Sequence, residues 1–136
     1  MYSEKVLNIF SNLECFGEVK RPSASGLFKS ELTGDIIKFT IKIEDGKIVD
    51  ARFKAFGSVA TLVVAEKTCE LLTYKYIVDV KKITAHDILA QVGTLPKNKQ
   101  DVCQNSIMAI KNLIENYEKK EAKRLKQAIN EGNVNI

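Results

Sequence analysis

The chain has 136 residues, 45% apolar and 28% charged, the size and balance of one soluble globular domain that folds without a disulfide or a metal. No apolar run approaches the ~20 residues of a membrane span, and Met1–Val6 lacks the long apolar core of a secretory signal. The net charge of +4 is concentrated late, where Lys119, Lys120, Lys123, Arg124 and Lys126 outweigh Glu118 and Glu121, so no basic face for nucleic acid is expected.

Taken in chain order, Ser3 followed by Glu4 reads as a helix start, and Val6, Leu7, Ile9 and Phe10 carry a short amphipathic helix to about Asn12. Residues 17–26, rich in Gly, Pro and Ser, read as an irregular connector. A first strand is expected over Leu27–Leu32, ending at Thr33-Gly34. In Ile37–Glu44, and again in Val49, Ala51, Phe53 and Ala55, apolar side chains fall on every second residue, the period of a half-buried strand. Asp45-Gly46 between them is a hairpin signal. Beyond Phe56-Gly57, Leu62, Ala65, Cys69 and Leu72 recur at helical steps and share one face. A short helix should start at Thr84 with Asp87 in its first turn and stop at Gly93–Pro96. The last helix should begin near Asp101 and turn Ile107, Ile110, Ile114 and Tyr117 inward. The expected fold is α+β, a small antiparallel sheet of about three strands with helices packed on one face. Residues 1–118 would form the domain and residues 119–136 a basic, partly solvated helical tail.

Chemistry is sparse. The only histidine, His86, falls in a helix's first turn and reads as a surface residue. There is no phosphate-binding glycine loop. Cys15, Cys69 and Cys103 are widely spaced with no Cys-x-x-Cys pair, which points to reduced thiols in a cytoplasmic protein. Cys69 belongs to the apolar helical face and reads as core; Cys15 lies in a loop and reads as incidental.

Further segments stand in a telling order. Tyr2-Ser3-Glu4-Lys5-Val6 opens the chain, and Thr33-Gly34-Asp35 leads into the strand Ile36–Ile43. Asp50-Ala51-Arg52-Phe53-Lys54-Ala55-Phe56-Gly57 is followed by Leu95-Pro96-Lys97-Asn98-Lys99 and Ala109-Ile110-Lys111. Over roughly residues 2–118 the sequence thus resembles the NifU N-terminal/IscU family of iron–sulfur cluster assembly scaffolds. The third segment is similar to that family's Asp-Ala-Arg-Phe-Lys-Thr-Tyr-Gly-Cys strand. The resemblance implies a protein that holds and hands over a 2Fe–2S cluster or a zinc or iron ion, turns over no substrate, and docks protein partners.

It also implies where the ligands should be. The three family cysteines correspond to Thr33, Ser58 and Val102, with Asp101 in place of an adjacent histidine; the family aspartate is kept as Asp35. Neutral hydroxyls are poor cluster ligands and valine has no donor, so the expectation is a member degenerate in cluster binding, with no cofactor assigned. If Cys103 faced Asp35 and Asp101, the three could hold one zinc or ferrous ion; a small buried side chain at a helix start is the plainer reading. Leu95, Pro96 and Lys99 correspond to a chaperone-binding loop, or to a buried loop end. Candidate partners are a cysteine desulfurase, a chaperone or a true scaffold, and the alternative role is a cluster-free docking or regulatory paralogue.

Overall fold

The computed structural model describes residues 1–132. Helix α1 (Glu4–Ser11) precedes strands β1 (Ala24–Lys29), β2 (Ile36–Glu44) and β3 (Lys47–Phe56). Helices α2 (Val59–Leu72), α3 (Ile77–Val80), α4 (Ala85–Val92) and α5 (Asp101–Asn130) follow. The strands form one antiparallel sheet in the order β1-β2-β3. The β2–β3 hairpin closes through Asp45 (φ 53°) and Gly46 (φ 78°), both left-handed, as a two-residue turn matched to strand twist requires.

Alternation places Ile37, Phe39 and Ile41 of β2 and Ala51 and Phe53 of β3 in the core. Against that face α2 lies on β3, and α5 on β1 and β2. The opposite face carries Lys38, Lys42, Arg52 and Lys54. Part of it is covered by the segment after α1: Val19 N–H donates to Thr40 Oγ1 at 2.9 Å, burying that threonine. The same segment joins the sheet beside β3, where Gly17 N–H donates to the Phe53 carbonyl at 2.8 Å and Phe53 N–H to the Cys15 carbonyl at 2.9 Å.

Side chains of α5 also close the free edge of β1. Asn112 Oδ1 accepts from Leu27 N–H at 2.8 Å, Asn116 Nδ2 donates to the Ser25 carbonyl at 2.8 Å, and Lys120 Nζ reaches the Ser23 carbonyl at 3.4 Å. One helical turn answers two strand residues. Unpaired edge groups that would otherwise invite another chain are thereby occupied. Gly26 lets the two backbones meet, since a Cβ there would stand 2.4 Å from Leu113 N and 2.6 Å from the Ala109 carbonyl.

Two helix starts form as the sequence predicts. Ser3 Oγ accepts from Val6 N–H at 3.2 Å, and Thr84 and Asp87 exchange bonds as a capping box ahead of α4. Three features differ. Strand β1 starts at Ala24, inside the segment read as a connector, because pairing with Ile41 and the approach of α5 at Gly26 impose extension there. Helix α2 is buried on nearly every side, down to Thr61, Glu66 and Thr68, because β3, α1, α4 and α5 all pack on it. The short α3 carries no periodic signal and forms where residues 74–77 bond back to the hairpin through Tyr74 N–H to Ile48 O and Ile77 N–H to Gly46 O. Helix α5 runs unbroken past residue 118 to Asn130 and is mostly exposed beyond Tyr117; residues 133–136 of the tail lie outside the described residues.

Glu66 is a buried carboxylate whose Oε1 accepts from Glu14 N–H at 3.0 Å and Cys15 N–H at 2.9 Å, tying the loop after α1 to α2. Burial raises its pKa above the ordinary 4.5, outweighing those two bonds.

Two outcomes follow. Gly26→Ala should destabilise the fold by about 3 kcal/mol, read from urea unfolding as a lower midpoint at unchanged slope. For Glu66, the folded state holds its proton more tightly than the unfolded chain does. Its contribution therefore falls as pH rises from about 4.5 through the raised folded value. Glu66→Gln keeps an acceptor for both amides and cannot ionise, so across that window it should gain stability relative to wild type; parallel pH profiles would exclude this role.

Candidate functional site

Three chain segments approach one end of the sheet. The β1–β2 turn, residues 30–35, is closed by Gly34 N–H to Ser30 O and Ser30 N–H to Asp35 O, both at 2.8 Å. Within it, Thr33 Oγ1 accepts from Asp35 N–H at 3.3 Å. The second segment is the step from β3 into α2, where Ser58 is the N-cap and shares a capping box with Thr61. The third is the start of α5. The register that sets Asn112 beside Leu27 and Asn116 beside Ser25, carried toward the helix N-terminus, brings Asp101 to the level of the β1–β2 turn.

At the centre of this tip lies Asp35. Its Oδ2 accepts from Thr61 Oγ1 at 3.2 Å, and its Oδ1 lies against Gly57, where a Cβ would stand 2.6 Å away. The Thr61 hydroxyl in turn accepts from Ser58 N–H at 3.2 Å and contacts Ser58 Oγ at 3.3 Å. The carboxylate sits over the first turn of α2, where the helix dipole favours negative charge. The local chemistry is that of a satisfied aspartate–hydroxyl network, in which Thr61 is a member that sequence reasoning missed. Its only sequence signal is the Ser58-x-x-Thr61 spacing of a cap.

The other candidates are dispersed. Thr33 is exposed at the turn; Asp101 is exposed in the first turn of α5. Val102 and Cys103 point inward at 4% and 2% exposure. Among the described residues no three His, Cys, Asp or Glu side chains gather to hold a metal, so Asp35, Asp101 and Cys103 do not form the group that one ion would need. Burial pushes the Cys103 thiol up to about 11 and away from solvent. In the remaining loop, Leu95 is 2% exposed in the core, while Pro96 is half-buried and leads into a 3₁₀ turn over Lys97–Lys99. Lys99 is only half-exposed, with its N–H bonded to Pro96 O at 2.8 Å.

Comparison with known proteins places this geometry. The sequence profile of the NifU-like N terminal domain matches residues 1–124. The chain belongs to the NifU-like N-terminal domain family. It is 29% identical over 123 residues to the iron–sulfur cluster assembly scaffold protein IscU 1 of Archaeoglobus fulgidus, covering 90% of this chain and 80% of that one. It is 30% identical over 129 residues to the iron–sulfur cluster assembly enzyme IscU of Drosophila melanogaster, covering 92% and 83%. The crystal structure of a nitrogen-fixing NifU-like protein (N-terminal) from Brucella abortus superposes with a TM-score of 0.65 at 14% identity, over 90% of this chain and 95% of that one, which shows the shared fold.

Thiolates at three converging loops would suit a cluster; the groups present here do not. Two neutral hydroxyls, a buried isopropyl and a buried thiol supply no such donor set. Cys103 should accordingly resist iodoacetamide in the folded protein at about pH 8 and react on unfolding. Rapid labelling of Cys103 itself in the native chain, read by peptide mapping, would show a thiol open to the tip.

Proposed function

We propose that this chain works in iron–sulfur cluster assembly as a scaffold-fold docking protein that holds no cluster in the family manner. One observation carries the reading. The family aspartate survives as Asp35, but its partner is the Thr61 hydroxyl, and the positions around it offer hydroxyls and a valine instead of thiolates. On this reading the scaffold fold is kept and the ligand set is gone.

Two large apolar side chains at the tip support docking. Leu32, in the β1–β2 turn that carries Asp35, is 96% exposed, and Phe56, paired with Ile36 at the end of β3, is 73% exposed. Large apolar groups left exposed to water suit a protein partner. By family resemblance that partner is a cysteine desulfurase, a chaperone or a cluster-bearing scaffold. The chain is a binder on this reading: the hydroxyl–carboxylate pair at the tip, Thr61 and Asp35, is buried, and the exposed His86 lies on α4.

The test is anaerobic reconstitution with ferrous iron, sulfide and a cysteine desulfurase, followed by visible absorption and metal analysis. Wild type should retain iron and sulfide at background. Thr33→Cys/Ser58→Cys/Val102→Cys should gain both in stoichiometric amounts, with thiolate charge-transfer bands. Bands in wild type that vanish in Cys103→Ser would instead establish a scaffold with unusual ligands. Metal without sulfide would establish a mononuclear site at Asp35 and Cys103.

A further inference from the structure

The second thiol-bearing region lies at α2, among residues that the tip does not use. Cys15 sits in the segment after α1 with its backbone fixed from both sides: its carbonyl accepts from Phe53 N–H at 2.9 Å, and its N–H donates to Glu66 Oε1 at 2.9 Å. Glu66 and Cys69 lie one helical turn apart on α2, so the carboxylate that anchors Cys15 also sets it over Cys69. The Cys15 thiol lies near enough to Cys69 to help hold that buried thiol's pKa up. Cys69 is fully buried and Cys15 half-exposed, packed on the edge of the core. Arg52 closes the surroundings, its Nη1 donating to the Glu14 carbonyl at 3.1 Å.

We infer that Cys15 and Cys69 form a site of reversible oxidation, closing to a disulfide when the protein meets hydrogen peroxide. The exposed partner reacts first. The Cys15 sulfur attacks peroxide, the O–O bond breaks, and a sulfenic acid forms with release of water. The Cys69 sulfur then attacks that sulfenic sulfur: the S–S bond forms, the S–O bond breaks, and the hydroxyl leaves as water with the Cys69 proton. Two thiols and one peroxide give one disulfide and two waters. Desolvation, with the Cys15 thiol as a lesser cause, holds the Cys69 pKa well above the ordinary thiol range, so Cys69 does not react with oxidant ahead of its partner. Cys103 has neither a thiol partner nor exposure, and serves as the internal reference.

The cross-link joins the loop after α1 to α2 across the whole sheet sequence, removing freedom mainly from the unfolded chain. The experiment is peroxide treatment of the native protein, alkylation under denaturing conditions, and peptide mapping without reductant. Tryptic peptides 6–20 and 68–75 should appear joined with the loss of two hydrogens, while peptide 100–111 carries alkylated Cys103. The thermal midpoint should rise by roughly 5–15 °C and return on reduction. Cys69→Ala should leave Cys15 as a sulfenic acid that a dimedone probe labels, and Cys15→Ser should leave Cys69 reduced. Sulfinic Cys15 in wild type beside free Cys69, or Cys103 in the joined peptides, would overturn the inference; the wild-type map decides it even where a variant fails to fold.

Discussion

The arrangement of this protein depends on the contact between α5 and β1. A strand at the edge of a three-stranded sheet has unpaired amides and carbonyls, and the sheet's apolar face needs a cover. One helix meets both needs because Gly26 brings the backbones together and Asn112 and Asn116 then reach Leu27 N–H and Ser25 O. With α5 fixed in that register, its N-terminus is fixed at the tip. The place of Val102 and Cys103 is therefore a consequence of a glycine and two asparagines well away from them.

At the tip, family geometry persists with different chemistry. A carboxylate beside three converging segments needs compensating groups, and thiolates with iron are one solution. Here the compensation is the Thr61 hydroxyl and the start of α2, which satisfies Asp35 without any ion. Val102 and Cys103 then behave as core residues; nothing at the tip calls them outward. What remains distinctive on the surface is apolar, in Leu32 and Phe56, and that suits contact with a protein better than capture of a metal.

Much of the fold was legible because local signals and tertiary needs agreed. Strict alternation specified β2 and β3, Asp45-Gly46 specified their turn, and Ser3 and Thr84 marked helix starts that form with the expected bonds. Legibility ended where distant contacts decide. Ser25 and Gly26 look like a connector until α5 and β2 are in place. Helix α2 shows a one-sided stripe, yet buries Glu66 and Thr68 too, because neighbours surround it. The positions corresponding to family ligands were legible by resemblance, but the hydrogen bond from Thr61 and the inward turn of Cys103 were not. Cys15 reads as incidental because its anchor, the buried Glu66 carboxylate of α2, lies 51 residues further along the chain.

The clasp on β1 also has a built-in length. Four residues of helix advance about 6.0 Å and two residues of strand about 6.7 Å, so the two scales slip by about 0.7 Å at each rung, like a vernier. The first two rungs, at 2.8 Å each, are made by short asparagines; the third needs the long arm of Lys120 and reaches only 3.4 Å. A fourth rung would fall out of step. Strand β1 begins at Ala24, so past the third rung no strand is left to guard, and α5 continues alone.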